Sequence, residues 1–321
     1  MHTRRDIGKF ALSGLALRTA ALVGLPASSV FGSVEASLSV RLGATTWSLR
    51  DLPRVPGKDN VEDLIKPLKD AGVTEVDLWS YNTEPAGPNF GPGAPPPPAA
   101  YPVQVHHFTP EEISAANIAV RKLLLDYRMT TPESHYEAIR AKLAAAGIKV
   151  SAYSVKYDDT FADDEIDVTF RQAKALGATS ITALGLTAAS KPETLKKLVP
   201  FAEKHQMNVS LPDFAFAGAL PSPRFKVNAD IGAITAANGS PVAFIQENQA
   251  SIAQITIKDR RRNKGKNEQF GDGDTPIQEV LRLVRDKKYA FPVFVEYEYL
   301  GIGTPAEELQ RCMDYARVAI A

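Results

Sequence analysis

Short apolar runs alternate with longer amphipathic stretches from residue 40 to the end of the chain. The apolar runs are rich in β-branched residues and predict eight strands, at residues 40–46, 73–78, 149–155, 180–183, 208–211, 225–229, 252–257 and 293–297. The stretches between them predict helices, at residues 61–71, 132–146, 163–176, 191–205, 241–248, 276–286 and 304–320. Strands that alternate with helices in this way pair in parallel through right-handed crossovers.

The ends of several predicted helices carry signals of their own. Gly72, Gly147 and Gly177 each follow a helix, where glycine readily adopts the left-handed conformation that terminates it. Thr131 and Thr275 each precede a proline. We therefore expect each threonine hydroxyl to cap a helix whose first position is the proline.

Two observations favour a closed barrel over an open, doubly wound sheet. Eight strand–helix repeats are the number that a (β/α)₈ barrel needs. The first strand is followed by Thr45-Thr46-Trp47-Ser48, where a dinucleotide-binding fold would carry its glycine-rich turn. The sequence therefore predicts an α/β fold, a single-domain TIM barrel that spans residues 34–321.

One segment interrupts the alternation. Residues 85–110 are rich in proline and glycine, which excludes regular helix or sheet. The segment follows the second strand, so it is expected at the C-terminal face of the barrel, either as a lid or partner contact or as a plain surface loop. It contains His106 and His107, whose side chains would diverge in an extended chain.

The first 33 residues are predicted to lie outside the barrel. Arg4 and Arg5 precede an apolar stretch at residues 10–25, and small residues follow up to residue 33. This order is typical of a twin-arginine (Tat-type) export signal. The mature chain is then expected to start near residue 34 and to be periplasmic or secreted.

Composition excludes several other classes of function. Lys plus Arg equals Asp plus Glu, at 37 each, so no global positive field is available to hold nucleic acid or an anionic membrane. The sequence after residue 35 contains no apolar run long enough to span a membrane. The single cysteine, Cys312, excludes an internal disulfide and a thiolate zinc cluster.

Eight segments, taken in order, resemble the sugar phosphate isomerases/epimerases with a xylose-isomerase-like TIM barrel. They lie at residues 42–50, 131–136, 173–178, 200–205, 230–232, 258–260, 271–277 and 296–299. The resemblance implies a divalent metal at the C-terminal mouth of the barrel, held by carboxylates and histidines. Such a metal polarises sugar oxygens while a carboxylate moves a proton between adjacent carbons.

The chain departs from this pattern wherever the family commonly has a histidine. Pro212 and Phe214 stand at the end of strand five, Ala233 follows strand six, and Thr256 stands in strand seven. Ser80 follows the tryptophan at the end of strand two. The departures remove the imidazole ligands that the resemblance implies.

Carboxylates at predicted strand ends remain as candidate ligands. Asp213, Asp230, Asp259 and Glu298 are the candidate metal ligands, an all-oxygen set suited to Mg²⁺ or Mn²⁺, with Co²⁺ as a further candidate. In the alternative interpretation, Asp230 and Glu296 are simply paired with Lys258 or Arg260.

Candidate catalytic and substrate-binding residues lie at the same strand ends. Glu296 or Glu298 is the candidate base, and Lys258 would position substrate oxygens. The aromatic residues that could stack on a sugar ring, or else pack in the rim of the barrel, are Trp47, Trp79, Tyr153 and Phe214. Arg260 opens a basic run that could face an acidic sugar or could be a solvated loop.

Two functions of different class remain open from the sequence. The first is an enzyme that isomerises or epimerises a sugar or sugar derivative. The second is a non-catalytic barrel that binds a carbohydrate or supports a partner protein, with a homo-oligomer as a further option. The fold does not decide between them.

Overall fold

Eight parallel strands close into a barrel in the computed structural model, which describes residues 40–55, 57–86, 110–186, 192–212, 215 and 220–321. The barrel strands are β1 (Leu42–Thr45), β2 (Glu75–Trp79), β3 (Lys149–Lys156), β4 (Ser180–Leu184), β5 (Asn208–Leu211), β6 (Phe225–Asp230), β7 (Ile252–Ile257) and β10 (Val293–Val295). Their order around the barrel is β1-β10-β7-β6-β5-β4-β3-β2. The predicted TIM barrel is confirmed, and each predicted strand lies where the alternating pattern placed it, within two residues at either end.

The helices surround the barrel. They are α1 (Val61–Asp70), α2 (Ser80–Thr83), α3 (Pro110–Thr130), α4 (Glu133–Ala145), α5 (Asp163–Ala175), α6 (Pro192–His205), α7 (Ile231–Ala236), α8 (Pro241–Asn248), α9 (Ile277–Lys287) and α10 (Pro305–Ile320). α1 shows why these stretches are helical: it buries Val61, Leu64 and Leu68, which share one face at spacings of three and four residues. Among the described helices, none combines the length and apolar character needed to cross a membrane.

The strands present different residues to the two sides of the barrel wall. In β2, Val76 and Leu78 pack in the apolar core, whereas Asp77 lies on the inner side with Ser154 of β3. This alternation is the period-two pattern of a strand, and it puts polar residues into the upper barrel interior.

Two short strands form a separate hairpin after β7. β8 (Asp259–Arg260) pairs antiparallel with β9 (Asn267–Glu268), and the basic run forms the turn between them. Arg261 pairs with Glu268 and Asp274 at the surface.

The helix ends confirm one sequence signal and correct the other. Gly72, Gly147 and Gly177 have φ values of 62°, 78° and 82°, as expected for glycines that end helices. The predicted caps at Thr131 and Thr275 are wrong. α4 and α9 begin one residue later than predicted, so a proline takes the cap position in each and neither helix has a side-chain cap.

The sequence pattern missed helix α3. Most of its described side chains are exposed or half-buried, so it lacks the continuous apolar face that predicts a helix. Buried polar contacts hold it to the barrel instead. Arg128 of α3 is 4% exposed and pairs with Glu84 at 2.6 Å and with Glu165 at 2.8 Å.

Candidate functional site

A cavity of about 230 Å³ opens at the carboxyl ends of the barrel strands. Its floor carries Asp77, Ser154 and Thr182, and its rim carries the indoles of Trp47 and Trp79. One side is lined by a group of four charged residues, Asp230, Lys258, Glu296 and Glu298. This is the face on which TIM-barrel enzymes carry their sites.

These four residues, hereafter the Lys258 cluster, come from three neighbouring strands. Asp230 is the last residue of β6, Lys258 follows β7 directly, and both glutamates follow β10. Because β6, β7 and β10 are adjacent in the barrel, their carboxyl ends bring the side chains to one point. Lys258 Nζ lies 3.0 Å from Asp230 Oδ2, 2.9 Å from Glu296 Oε1 and 2.8 Å from Glu298 Oε2.

Each carboxylate of the cluster also has its own surroundings. Asp230 Oδ1 accepts a hydrogen bond from the Ala233 amide at 2.9 Å and so caps α7. Glu298 accepts from Trp47 Nε1 at 3.3 Å and from Asn267 Nδ2 at 3.2 Å. Glu298 is therefore tied to the aromatic rim as well as to the ammonium.

Burial and neighbouring charge shift the pKa values of the cluster in opposite directions. Burial alone would lower the pKa of Lys258, but the charges of Asp230, Glu296 and Glu298 outweigh it and hold that pKa well above its usual range. Burial, opposed only in part by Lys258, raises the pKa of Glu296 to about 7. Burial acts on Glu298 in the same sense, but the charge and hydrogen bond of Lys258 outweigh it, so the pKa of Glu298 is lowered.

The Lys258 cluster does not fit a bound divalent metal. The point on which its carboxylates converge is taken by the Lys258 ammonium, at ordinary salt-bridge distances. Within the described ranges, no group of three or more His, Cys, Asp or Glu side chains is arranged to hold a metal ion. Of the alternatives drawn from the sequence, the structure has Asp230 and Glu296 paired with Lys258.

The two tryptophans form a stacked pair at the rim. Their ring centroids are 4.2 Å apart and their planes are inclined by 20°. Arg50 lies 5.4 Å from the Trp47 ring centroid, and Tyr81 packs edge-on against the same indole. The pair offers the kind of flat apolar surface on which a sugar ring stacks.

Tyr153 and Asp259 were predicted for the site but lie outside the cavity. Tyr153 faces the helix layer because its neighbour Ser154 takes the inner side of β3, and its hydroxyl bonds to Thr83 Oγ1 at 2.8 Å. Burial raises the pKa of Tyr153 well above its usual range. Asp259 accepts the amides of Gly271, Gly273 and Thr275, so it organises the loop before α9 rather than binding a metal.

The remaining predictions for the site have separate outcomes. Arg260 does not face the cavity, because its guanidinium donates to the Gly265 carbonyl at 2.8 and 3.2 Å within the hairpin turn. Asp213, a predicted metal ligand, and Phe214, a predicted stacking residue, lie outside the described residues.

Sequence reasoning missed Asp77. Ser154, Thr182 and Gln254 donate hydrogen bonds to its carboxylate at 2.7, 3.1 and 2.8 Å. Burial raises the pKa of Asp77, and these three donors oppose the rise only in part. A signal was present in the sequence, since Asp77 is a charged residue between Val76 and Leu78 in the buried strand β2.

Comparisons with known proteins agree with this architecture. The model of the xylose isomerase-like TIM barrel family matches residues 214–317. L-ribulose-5-phosphate 3-epimerase UlaE of Salmonella paratyphi A is 22% identical over 174 residues, which are 54% of this chain and 57% of that enzyme. The chain thus matches a little over half the length of this curated relative.

Solved structures show the same fold at low sequence identity. A sugar phosphate isomerase/epimerase of Parabacteroides distasonis superimposes with a TM-score of 0.54 at 13% identity, over 92% of this chain and all of that one. The 3-keto-D-glucoside 4-epimerase YcjR of E. coli superimposes with a TM-score of 0.54 at 13% identity, over 87% of this chain and 99% of that one. The IOLI protein, solved with a zinc atom, superimposes with a TM-score of 0.56 at 12% identity, over 88% of this chain and 98% of that one.

Proposed function

We propose that the cavity of this TIM barrel, which matches the xylose isomerase-like TIM barrel family over residues 214–317, binds one unphosphorylated sugar or sugar derivative and moves a proton next to the carbonyl of that ligand. The observation that carries the proposal is the placement of the Lys258 cluster beside a stacked tryptophan pair in one small cavity. The carboxylates and ammonium supply acid–base groups, and the indoles supply a surface for a sugar ring.

The size of the cavity supports a single small ring. Its volume of about 230 Å³ is below the ~300–1,000 Å³ of sites for drug-sized molecules. A monosaccharide is of the right scale for such a cavity, whereas an oligosaccharide could place only one of its rings in it.

The charge of the cavity supports a ligand without phosphate. Among the described residues, its lining carries four carboxyl groups, those of Asp77 and the Lys258 cluster, and a single ammonium. Arg260 is engaged by the Gly265 carbonyl instead of facing the cavity. A phosphate group would therefore meet net negative charge, and the described lining residues offer no cation that is not already paired.

In the proposed reaction, Glu296 acts as the base. Its carboxylate takes a proton from the carbon next to the carbonyl, and the C–H electrons form an enolate or enediolate. Lys258 donates an N–H to the oxygen that becomes negative, after exchanging one carboxylate partner for it. Isomerisation is completed when Glu296 returns its proton to the former carbonyl carbon while the proton of the adjacent hydroxyl moves to the former carbonyl oxygen. Epimerisation instead needs a proton delivered to the original carbon from the opposite face.

The pKa of Glu296 suits this role. A general base works best when its pKa lies near the operating pH, and burial raises the pKa of Glu296 to about 7. Glu298, whose pKa is lowered, stays ionised and keeps the Lys258 ammonium in place.

One observation favours a second candidate, a non-catalytic sugar-binding barrel. All three carboxylates of the Lys258 cluster are already paired with the ammonium, so each has a cationic partner without a substrate. Binding and proton transfer must therefore be measured separately.

Ligand binding is measured by tryptophan fluorescence. The chain has only two tryptophans, Trp47 and Trp79, and both line the cavity, so their emission reports on this site alone. We expect neutral aldoses or ketoses to change the emission in a saturable manner and the corresponding sugar phosphates to bind at least tenfold more weakly. Equal or tighter binding of the phosphates would exclude the unphosphorylated ligand class.

Proton transfer is measured as exchange with solvent deuterium. NMR of each bound sugar in D₂O should show deuterium entering the carbon next to the carbonyl. Glu296→Gln should slow the exchange by about 10²–10⁴-fold while binding persists. Glu247→Gln, which removes an exposed carboxylate on α8, serves as the control and should exchange normally. Binding without exchange for every sugar would favour the non-catalytic barrel.

A further inference from the structure

We infer that Lys258 is a built-in cation: its ammonium occupies the position where Asp230, Glu296 and Glu298 would otherwise hold a divalent metal ion. The ammonium is then the counter-ion of these carboxylates, and removing it would create a metal site. The inference concerns the cation alone, and its test uses no sugar, so it stands or falls independently of the proposed reaction.

The first argument is geometric. Three carboxylate oxygens, one from the end of β6 and two from the residues that follow β10, lie 2.8–3.0 Å from one atom, Lys258 Nζ. Carboxylate oxygens converging on one point are the ligands that Mg²⁺, Ca²⁺ and Mn²⁺ prefer. Metal–oxygen distances are roughly 2.0–2.6 Å, so the oxygens would need to close by only about half an ångström.

The second argument is charge. Up to three negative groups surround one ammonium, and the side chains of Asp230, Lys258 and Glu296 are only 12–14% exposed. Removing the positive charge would leave partly buried carboxylates without a counter-ion, which is strongly unfavourable. A divalent cation bound at this point would supply the missing positive charge and attract all three carboxylates.

The third argument is the fit of the lysine stem. Gly232, in α7, leaves the space through which the Lys258 side chain reaches the carboxylates. A Cβ added at Gly232 would come within 2.7 Å of Lys258 Cγ and 2.8 Å of the Lys258 carbonyl oxygen. Gly232 therefore leaves room beside α7 for the stem of the Lys258 side chain.

The experiment titrates Mn²⁺ alone into the full-length chain, followed by calorimetry and by the electron paramagnetic resonance of the ion. Lys258→Ala opens the space and removes the charge, so it should bind one Mn²⁺ with a Kd below about 100 μM, within the range of carboxylate sites. The unmodified protein should bind at least 100-fold more weakly. Lys258→Met removes the charge but keeps the side-chain volume, and should gain much less affinity than Lys258→Ala.

Two further variants complete the test. Lys266→Ala removes an exposed lysine of the hairpin turn and should leave Mn²⁺ binding unchanged. If Lys258→Ala does not fold alone, Lys258→Ala/Glu296→Gln removes one of the unpaired charges, and Mn²⁺ should raise the Tm of this double variant. Stoichiometric Mn²⁺ in the unmodified protein, lost in Asp230→Asn, would overturn the inference. A folded Lys258→Ala variant that binds no more Mn²⁺ than the parent would overturn it as well.

Discussion

Glu296 and Glu298 line the same cavity, but their surroundings shift their pKa values in opposite directions. Glu296 is the more deeply buried, so the cost of desolvation raises its pKa to about 7 despite the contact with Lys258. Glu298 keeps hydrogen bonds from Lys258 and Trp47, and its pKa is lowered. The two residues are therefore expected to affect stability in different pH ranges.

The first prediction compares Glu296→Gln with the parent protein between pH 5 and pH 8. Because the folded pKa of Glu296, about 7, lies above its ordinary value of 4.5, the folded state holds this proton longer than the unfolded state does. The parent should therefore lose stability as the pH rises through this window, and Glu296→Gln should not show that contribution. Urea unfolding at pH 5, 6, 7 and 8 measures the difference.

Glu298→Gln is the matched control for this prediction. Its folded pKa is lowered, so the ionised form stabilises the fold above the ordinary pKa of 4.5 and that contribution is lost only in more acidic solution. The stability difference between Glu298→Gln and the parent should be nearly constant from pH 5 to pH 8. A flat profile for Glu296→Gln as well would contradict the raised pKa of Glu296.

At the scale of elements, α10 has a side-chain cap that α4 lacks. Thr304 Oγ1 accepts a hydrogen bond from the Glu307 amide at 3.3 Å, and the Glu307 carboxylate accepts one from the Thr304 amide at 2.8 Å. This reciprocal arrangement is a capping box.

The second prediction follows from this capping box. Thr304→Ala should lower the free energy of unfolding by about 1 kcal/mol, as measured by urea denaturation. Thr131→Ala, just before α4, should lower the free energy of unfolding by clearly less, because α4 has no side-chain cap to lose. Equal losses in the two variants would show that the capping box adds nothing.

The third prediction concerns how α3 is held to the barrel. In Arg128→Met, Glu84 and Glu165 remain buried and Glu84 loses its arginine partner. The free energy of unfolding should therefore fall by about 3–5 kcal/mol. The matched control, Lys122→Met, removes an exposed ion pair with Asp126 on the same helix and should cost at most about 0.5 kcal/mol. Chemical denaturation measures both. A small loss for Arg128→Met would mean that apolar contacts, not the ion pairs, hold α3.

At the scale of the whole molecule, residues 1–33 lie outside the described residues, and their role as an export signal stays a prediction. The fourth prediction tests it: replacing Arg4 and Arg5 with lysine should retain the protein in the cytoplasm of an expressing bacterium. Lys9→Arg is the matched control and should be exported like the parent. Fractionation followed by immunoblotting measures this, and normal export of the twin-lysine variant would contradict a Tat-type signal.

Sequence alone determined the barrel. Eight apolar runs separated by amphipathic stretches correctly predicted all eight barrel strands and seven of the surrounding helices, because apolar periodicity reports local burial directly. It also placed Asp230, Lys258, Glu296 and Glu298 at strand ends on one face, because the carboxyl ends of parallel strands meet there.

Only the tertiary structure decided what those residues do together. The sequence left open whether the carboxylates bind a metal or a lysine, because that choice depends on where Lys258 Nζ lies relative to side chains at the ends of two other strands. It also misplaced Tyr153, Asp259 and Arg260, since a residue near a strand end can face the core, a loop or the cavity. Helix α3 was not predicted because it is held by buried ion pairs between Arg128 and residues distant in sequence, and not by an apolar face. Periodicity records which residues are buried, but not which buried charges meet.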